Sequence, residues 1–73
     1  MKALTTNQHR VIFSIPSRDT KQVLEAKFKL SPFGYAYGNF HNVHYWSFPA
    51  ELENQCRNIL ETVFPKNMIS RIN

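Results

Sequence analysis

A chain of 73 residues with a net charge of +4 and one cysteine, Cys56, forms a single domain and has no intrachain disulfide to staple it. Such a chain buries only about 60–65% of the surface its unfolded form exposes, and the unpaired cysteine fits a reducing compartment, with the cytoplasm as the default. No run approaches the ~18 apolar residues of a membrane span, and no apolar stretch follows Lys2 as in a signal peptide, so no membrane association is expected.

Charge is unevenly spread. Residues 1–30 hold six basic and two acidic groups, residues 31–50 hold no charged group, and residues 51–73 hold three of each sign. A basic first third beside a neutral aromatic middle favours an anionic partner. The ten aromatics are the main source of core, and a homodimer would add to it, so monomer and homodimer both stay open.

In chain order, residues 1–9 are polar and aperiodic and read as a flexible N-terminus. Arg10 to Ile15 is β-branched and aromatic and stops at Pro16, which predicts a strand with Val11, Phe13 and Ile15 on one face. Ser17 or Asp19 can cap a following helix, and Asp19 with Gln22 forms a capping-box pattern. Winding residues 17–30 at about 100° each gathers Val23, Leu24, Ala26, Phe28 and Leu30 on one broad face. Lys27 lands inside that apolar arc, where its stem can pack and its ammonium can snorkel or reach into a partner groove.

Ser31-Pro32 stops the helix. Phe33 to Phe40 is strand-like, with Tyr35 and Tyr37 on one face, and His41-Asn42 supplies a turn. Val43 to Phe48 follows as a third strand, with Trp46 and Phe48 on one face and Tyr45 on the other. Pro49 then opens a second helix in which Leu52, Cys56, Ile59, Leu60, Val63 and Phe64 share a face before Pro65. The expected fold is α+β: a small single domain over residues 10–65, in the order β-α-β-β-α, with one sheet containing antiparallel strands packed on two helices. Residues 66–73 form a tail or a short C-terminal edge strand.

Catalysis has little to work with. The five carboxylates fall on helix surfaces, Gly34 and Gly38 are the only glycines, and Cys56 lies on the apolar face of its helix. The three histidines and Cys56 lack the paired spacings of structural zinc sites, and His41 and His44 flank a turn as solvated residues. No enzyme, metal or cofactor is expected. The stretch from Phe33 to Phe48 places seven aromatics in sixteen residues, and Trp46 and Phe48 read as core. Tyr35, Tyr37 and Tyr45 carry hydroxyls that want water or partners, and an open face bearing them could stack unpaired bases.

The segments Val11-Ile-Phe-Ser-Ile15, Ala26-Lys27, Tyr35 or Tyr37, and Trp46-Ser-Phe-Pro49 together resemble the HepA-related-protein (HARP) domain and a related small bacterial domain of unknown function. The resemblance spans Val11 to Phe64, and this chain differs in lacking charges at the hairpin turn, with a longer loop expected there. It implies a role on branched or forked DNA. A second, local resemblance is that of Phe33-Gly-Tyr-Ala-Tyr-Gly-Asn-Phe40 to the aromatic octamer of RNA-recognition motifs, with Phe33 and Gly38 departing from it. The functional expectation is a non-enzymatic nucleic-acid-binding accessory module for single-stranded or branched DNA, or RNA. Tyr35, Tyr37 and Tyr45 would stack bases while Arg10, Arg18, Lys21 and Lys29 contact phosphates. The alternative is a protein-interaction module or inhibitor of phage or mobile-element origin.

Overall fold

A computed structural model describes residues 10–72, so the flexible N-terminus expected for residues 1–9 lies outside the described residues. Strand β1 (Arg10–Pro16) leads into helix α1 (Thr20–Leu30), and the hairpin of β2 (Ala36–Phe40) and β3 (Val43–Pro49) follows. Helix α2 (Glu53–Val63) and a two-residue strand β4 (Ser70–Arg71) complete the α+β order expected from the sequence, final edge strand included. The sheet runs β2-β3-β1-β4 with every neighbouring pair antiparallel.

Alternation in β1 buries Val11, Phe13 and Ile15, and the register sets Phe48, Trp46 and His44 opposite them. Val23, Ala26 and Leu30 of α1, Cys56 and Leu60 of α2, and Phe64 close the same core. Both helices therefore cover one face of the sheet. Among the described residues, no helix covers the other.

Local chemistry places each element with a few adjustments. Asp19 caps α1, its Oδ1 accepting the backbone N–H groups of Lys21 (2.9 Å) and Gln22 (3.3 Å). The capping box is not completed by Gln22. Ser17 Oγ takes the Asp19 N–H, and the Gln22 amide instead donates to the Val63 carbonyl, tying α1 to the end of α2. The buried stripe of α1 is narrower than its apolar arc: Leu24 and Phe28 are 63% and 80% exposed.

The strand expected over Phe33 to Phe40 is shorter. Ser31–Phe33 forms a 3-10 turn, Gly34 takes a left-handed φ of 62°, and β2 begins only at Ala36. The octamer resembling RNA-recognition motifs is thus divided between that turn and an edge strand. Pro49 likewise ends β3, and a 3-10 turn, Ala50–Leu52, precedes α2.

The hairpin loop is not long. His41 and Asn42 alone connect β2 to β3, both at positive φ (50° and 64°), as a two-residue type I′ turn demands. Neither is glycine, and a left-handed conformation costs an ordinary residue about 1–2 kcal/mol, less for asparagine. Replacing the pair by the turn-favouring sequence (His41→Asn with Asn42→Gly) should stabilise the domain by about 1 kcal/mol, a rise of roughly 4–8 °C in Tm on thermal unfolding.

Candidate functional site

Two-residue turns fix register, and this one sets Tyr37 opposite Trp46 and Gly38 opposite Tyr45. Directly opposed residues share a face. Tyr37 therefore points to the helices with Trp46, while Tyr45 lies on the uncovered face. The three tyrosines expected to form one stacking platform are divided between the two sides of the sheet. Tyr35, just ahead of β2, is half-buried against the core on the helix side, as Tyr37 is. Burial, with Tyr37 beside it, pushes the Tyr35 phenol above its ordinary pKa.

The Tyr37 ring is already engaged by its neighbours. The Lys27 ammonium sits 3.9 Å from its ring centroid, and Trp46 packs against it at 5.2 Å and 59°. Its hydroxyl meets His44 Nδ1. His44 is not the solvated turn residue expected from the sequence: it is 7% exposed, in phase with Trp46 and Phe48, and its Nε2 lies 3.0 Å from the Ser17 carbonyl oxygen. A carbonyl can only accept, so Nε2 carries the hydrogen and, in the neutral ring, Nδ1 accepts from the Tyr37 hydroxyl. That chain ties β2, β3 and the loop entering α1 into one unit.

A groove of about 270 Å³ opens beside this network, walled by Thr20, Leu24 and Lys27 of α1 and by Tyr37 and Asn39 of β2, over Val23 and His44. The lysine singled out by its place in the apolar arc is its one cation. A second groove, about 250 Å³, lies by β4 and includes Arg57, Glu61, Lys66 and Arg71. Its arginines are already engaged, Arg71 Nη1 lying 2.9 Å and Arg57 Nη2 3.5 Å from Glu53 Oε2.

The uncovered face carries Ile12, Ser14, Val43, Tyr45 and Ser47 with Ala36, Gly38 and Phe40 of β2. Phe40 is 65% exposed and packs edge-on against His41. The charged strand residue on this face is Arg10, whose guanidinium donates to Ser47 Oγ and to the Ser47 carbonyl, both at 2.8 Å. The remaining expected phosphate contacts belong to the helix layer. Lys29 faces α2 and pairs with Glu25 at 3.0 Å, while Arg18 and Lys21 are exposed around the Asp19 cap. The seven expected nucleic-acid contacts are therefore not gathered on one surface.

Among the described residues, no group of three or more His, Cys, Asp or Glu side chains could hold a metal ion. Among those residues, too, no helix is long and apolar enough to cross a membrane. Cys56 is buried, and desolvation raises its thiol pKa, which keeps it in the poorly nucleophilic protonated form at neutral pH.

Comparison with protein families, with curated proteins and with solved structures returned no match for this chain. The likeness to the HARP domain stands on its quoted residues alone.

The His44 network has a direct check. Long-range ¹⁵N–¹H correlation should show the neutral ring protonated at Nε2, and Tyr37→Phe, which leaves Nδ1 without its donor, should cost about 1–2 kcal/mol in denaturant unfolding.

Proposed function

We propose that this chain is a non-enzymatic protein-interaction module that docks a partner on the uncovered face of its sheet. The observation that carries this reading is the composition of that face: Tyr45, Phe40, Val43 and Ile12 around small residues, with Arg10 as its charged group. Aromatic residues and arginine are enriched in the centres of protein interfaces, while lysine and the acidic residues are depleted. Exposed apolar surface of this kind marks an interaction site more often than a bare monomer surface.

Nucleic-acid binding remains as a second reading in a changed form. Arg18, Lys21 and Lys27 make no ion pair among the described residues. They belong to the helix layer, away from Tyr45 and Phe40, so a nucleic acid would run along α1 through phosphate contacts without stacking on the sheet. Such binding must strengthen steeply as salt falls.

Pull-down from nuclease-treated extract, with wild-type protein beside Tyr45→Lys, tests the two. The wild type should retain a protein partner, and Tyr45→Lys should weaken it by about 30-fold or more at unchanged Tm. A partner held equally by the variant removes the sheet face from consideration. Loss of every partner on nuclease treatment, with salt-dependent anisotropy of a labelled single-stranded or forked oligonucleotide, replaces this reading with the second.

A further inference from the structure

The sheet has two edges, and they are built differently. At one, β4 is only two residues long, and its Arg71 is clamped to Glu53. Shortness and charge are common guards against unwanted strand pairing. At the other, β2 runs Ala36-Tyr-Gly-Asn-Phe40 with no charged residue and no proline, and its register with β3 is continuous from Ala36↔Ser47 to Phe40↔Val43, without a bulge. Among the described residues, charge, proline and bulge are all missing as guards along it.

Which backbone groups this edge offers follows from the turn. The residues closing a two-residue hairpin, Phe40 and Val43, form a hydrogen-bonded pair, and bonded and non-bonded pairs alternate from there. Gly38 and Ala36 thus spend their backbone groups on β3, while Tyr37 and Asn39 direct their N–H and C=O groups to the free edge. These are the two β2 residues whose side chains line the groove against α1. An incoming strand pairing with Tyr37 and Asn39 would lie about 4.8 Å outside β2, and every second side chain would enter that groove.

The groove's chemistry selects what enters. About 270 Å³ is less than a typical cofactor or drug-sized site but holds one or two side chains. Lys27 is half-buried, held over the Tyr37 ring, and has no carboxylate partner among the described residues. Thr20 and Asn39 add a hydroxyl and an amide to the lining of the same groove. Leu24, largely exposed, and Val23 supply an apolar stretch beside it.

We infer that the free edge of β2 accepts an extended acidic segment of a partner protein as an added strand, an Asp or Glu side chain pairing with Lys27 and an apolar one two residues away covering Leu24. Main-chain hydrogen bonds to Tyr37 and Asn39 supply affinity, and Lys27 supplies register and sign. The site is separate from the uncovered face and does not depend on the reading proposed for it.

The probe is a dye-labelled, end-blocked octapeptide, Thr-Glu-Thr-Val-Thr-Glu-Thr-Val, whose glutamates and valines share one strand face two residues apart, titrated against the whole chain by fluorescence anisotropy. Binding should move the amide resonances of Tyr37 and Asn39, fall by about tenfold or more with lysine in place of glutamate, and vanish when alternate peptide nitrogens are methylated. Lys27→Met, which keeps the packed stem, should weaken the glutamate peptide about tenfold at unchanged Tm, and Lys27→Glu should reverse the preference between the two peptides. The methylated peptide needs no variant, so a misfolded mutant cannot obscure the result. Equal binding of methylated and unmethylated peptides, or no binding at millimolar concentration, overturns the inference. A concentration-dependent dimer in sedimentation without peptide binding assigns the edge to a second copy. An oligonucleotide shifting the Tyr37 and Asn39 amides where the peptide does not assigns it to nucleic acid. Either result also overturns the inference.

Discussion

Everything in this fold hangs on the pairing of β1 with β3. The two central strands match over seven residues, from Arg10↔Pro49 to Pro16↔Val43, and the match puts Val11, Phe13 and Ile15 on one face with Phe48, Trp46 and His44. Side chains alternate with a period of two, so a slip of one strand by a single residue would turn its inward set out. Slipping β3 would expel Trp46 and Phe48 and drive Tyr45 and Ser47 inward. Among the described residues helices cover one side only, so they offer no second core to receive what is expelled. Each large side chain in this layer contributes about 1.5–3 kcal/mol by burial, and Trp46, Phe13, Phe48 and Phe64 are all below 2% exposure. The layer also tolerates one flaw. The Trp46 Nε1–H is buried and reaches no acceptor among the described residues, at a cost on the order of 1–3 kcal/mol. The ring's volume outweighs its unpaired hydrogen.

How far the sequence reveals this depends on which physical rule carries each element. Val11, Phe13 and Ile15 could be assigned to the core because period-two alternation is local, and so could Cys56 and Leu60 of α2 with Phe64 just beyond its end. The tyrosines could not be sorted, because the face on which Tyr37 falls depends on the number of residues in the turn. His41 and Asn42 are the turn read from the sequence, but without the glycine that usually signals positive φ they leave its type, and so the pairing across it, unspecified. Once the turn is two residues, His44 falls in step with Trp46 and Phe48, and its burial could have been read. Leu24 and Phe28 failed for a different reason. A helical wheel reports the width of an apolar arc, whereas burial depends on how much sheet lies beneath it, a tertiary quantity. Lys27 was visible as the misfit in that arc, but its place over Tyr37 needed the β2 register.

Those two failures meet at one place. Leu24, four residues before Phe28 on the same ridge of α1, walls the groove whose opposite side is Tyr37 and Asn39 of the last strand. The ridge is apolar because of its sequence and exposed because the sheet stops at β2. In effect the helix layer is wider than the sheet beneath it, and Lys27 spans the step, its stem against the helix and its ammonium on the outermost tyrosine. On the far side of the sheet, Tyr45 and Phe40 lie where no helix of the described residues reaches. A chain of 73 residues has enough apolar side chain for one well-filled layer, and the surplus falls on an uncovered face and an unguarded edge. The cations are distributed so that neither surface is blocked. Lys29, Arg57 and Arg71 are paired on the helix layer, Arg10 is folded onto Ser47, and Arg18 and Lys21 stand at the start of α1. The separation follows from the alternation that builds the core: among the described strand residues the open face carries Arg10 as its charged group, while Arg71 of β4 falls on the helix side with Glu53.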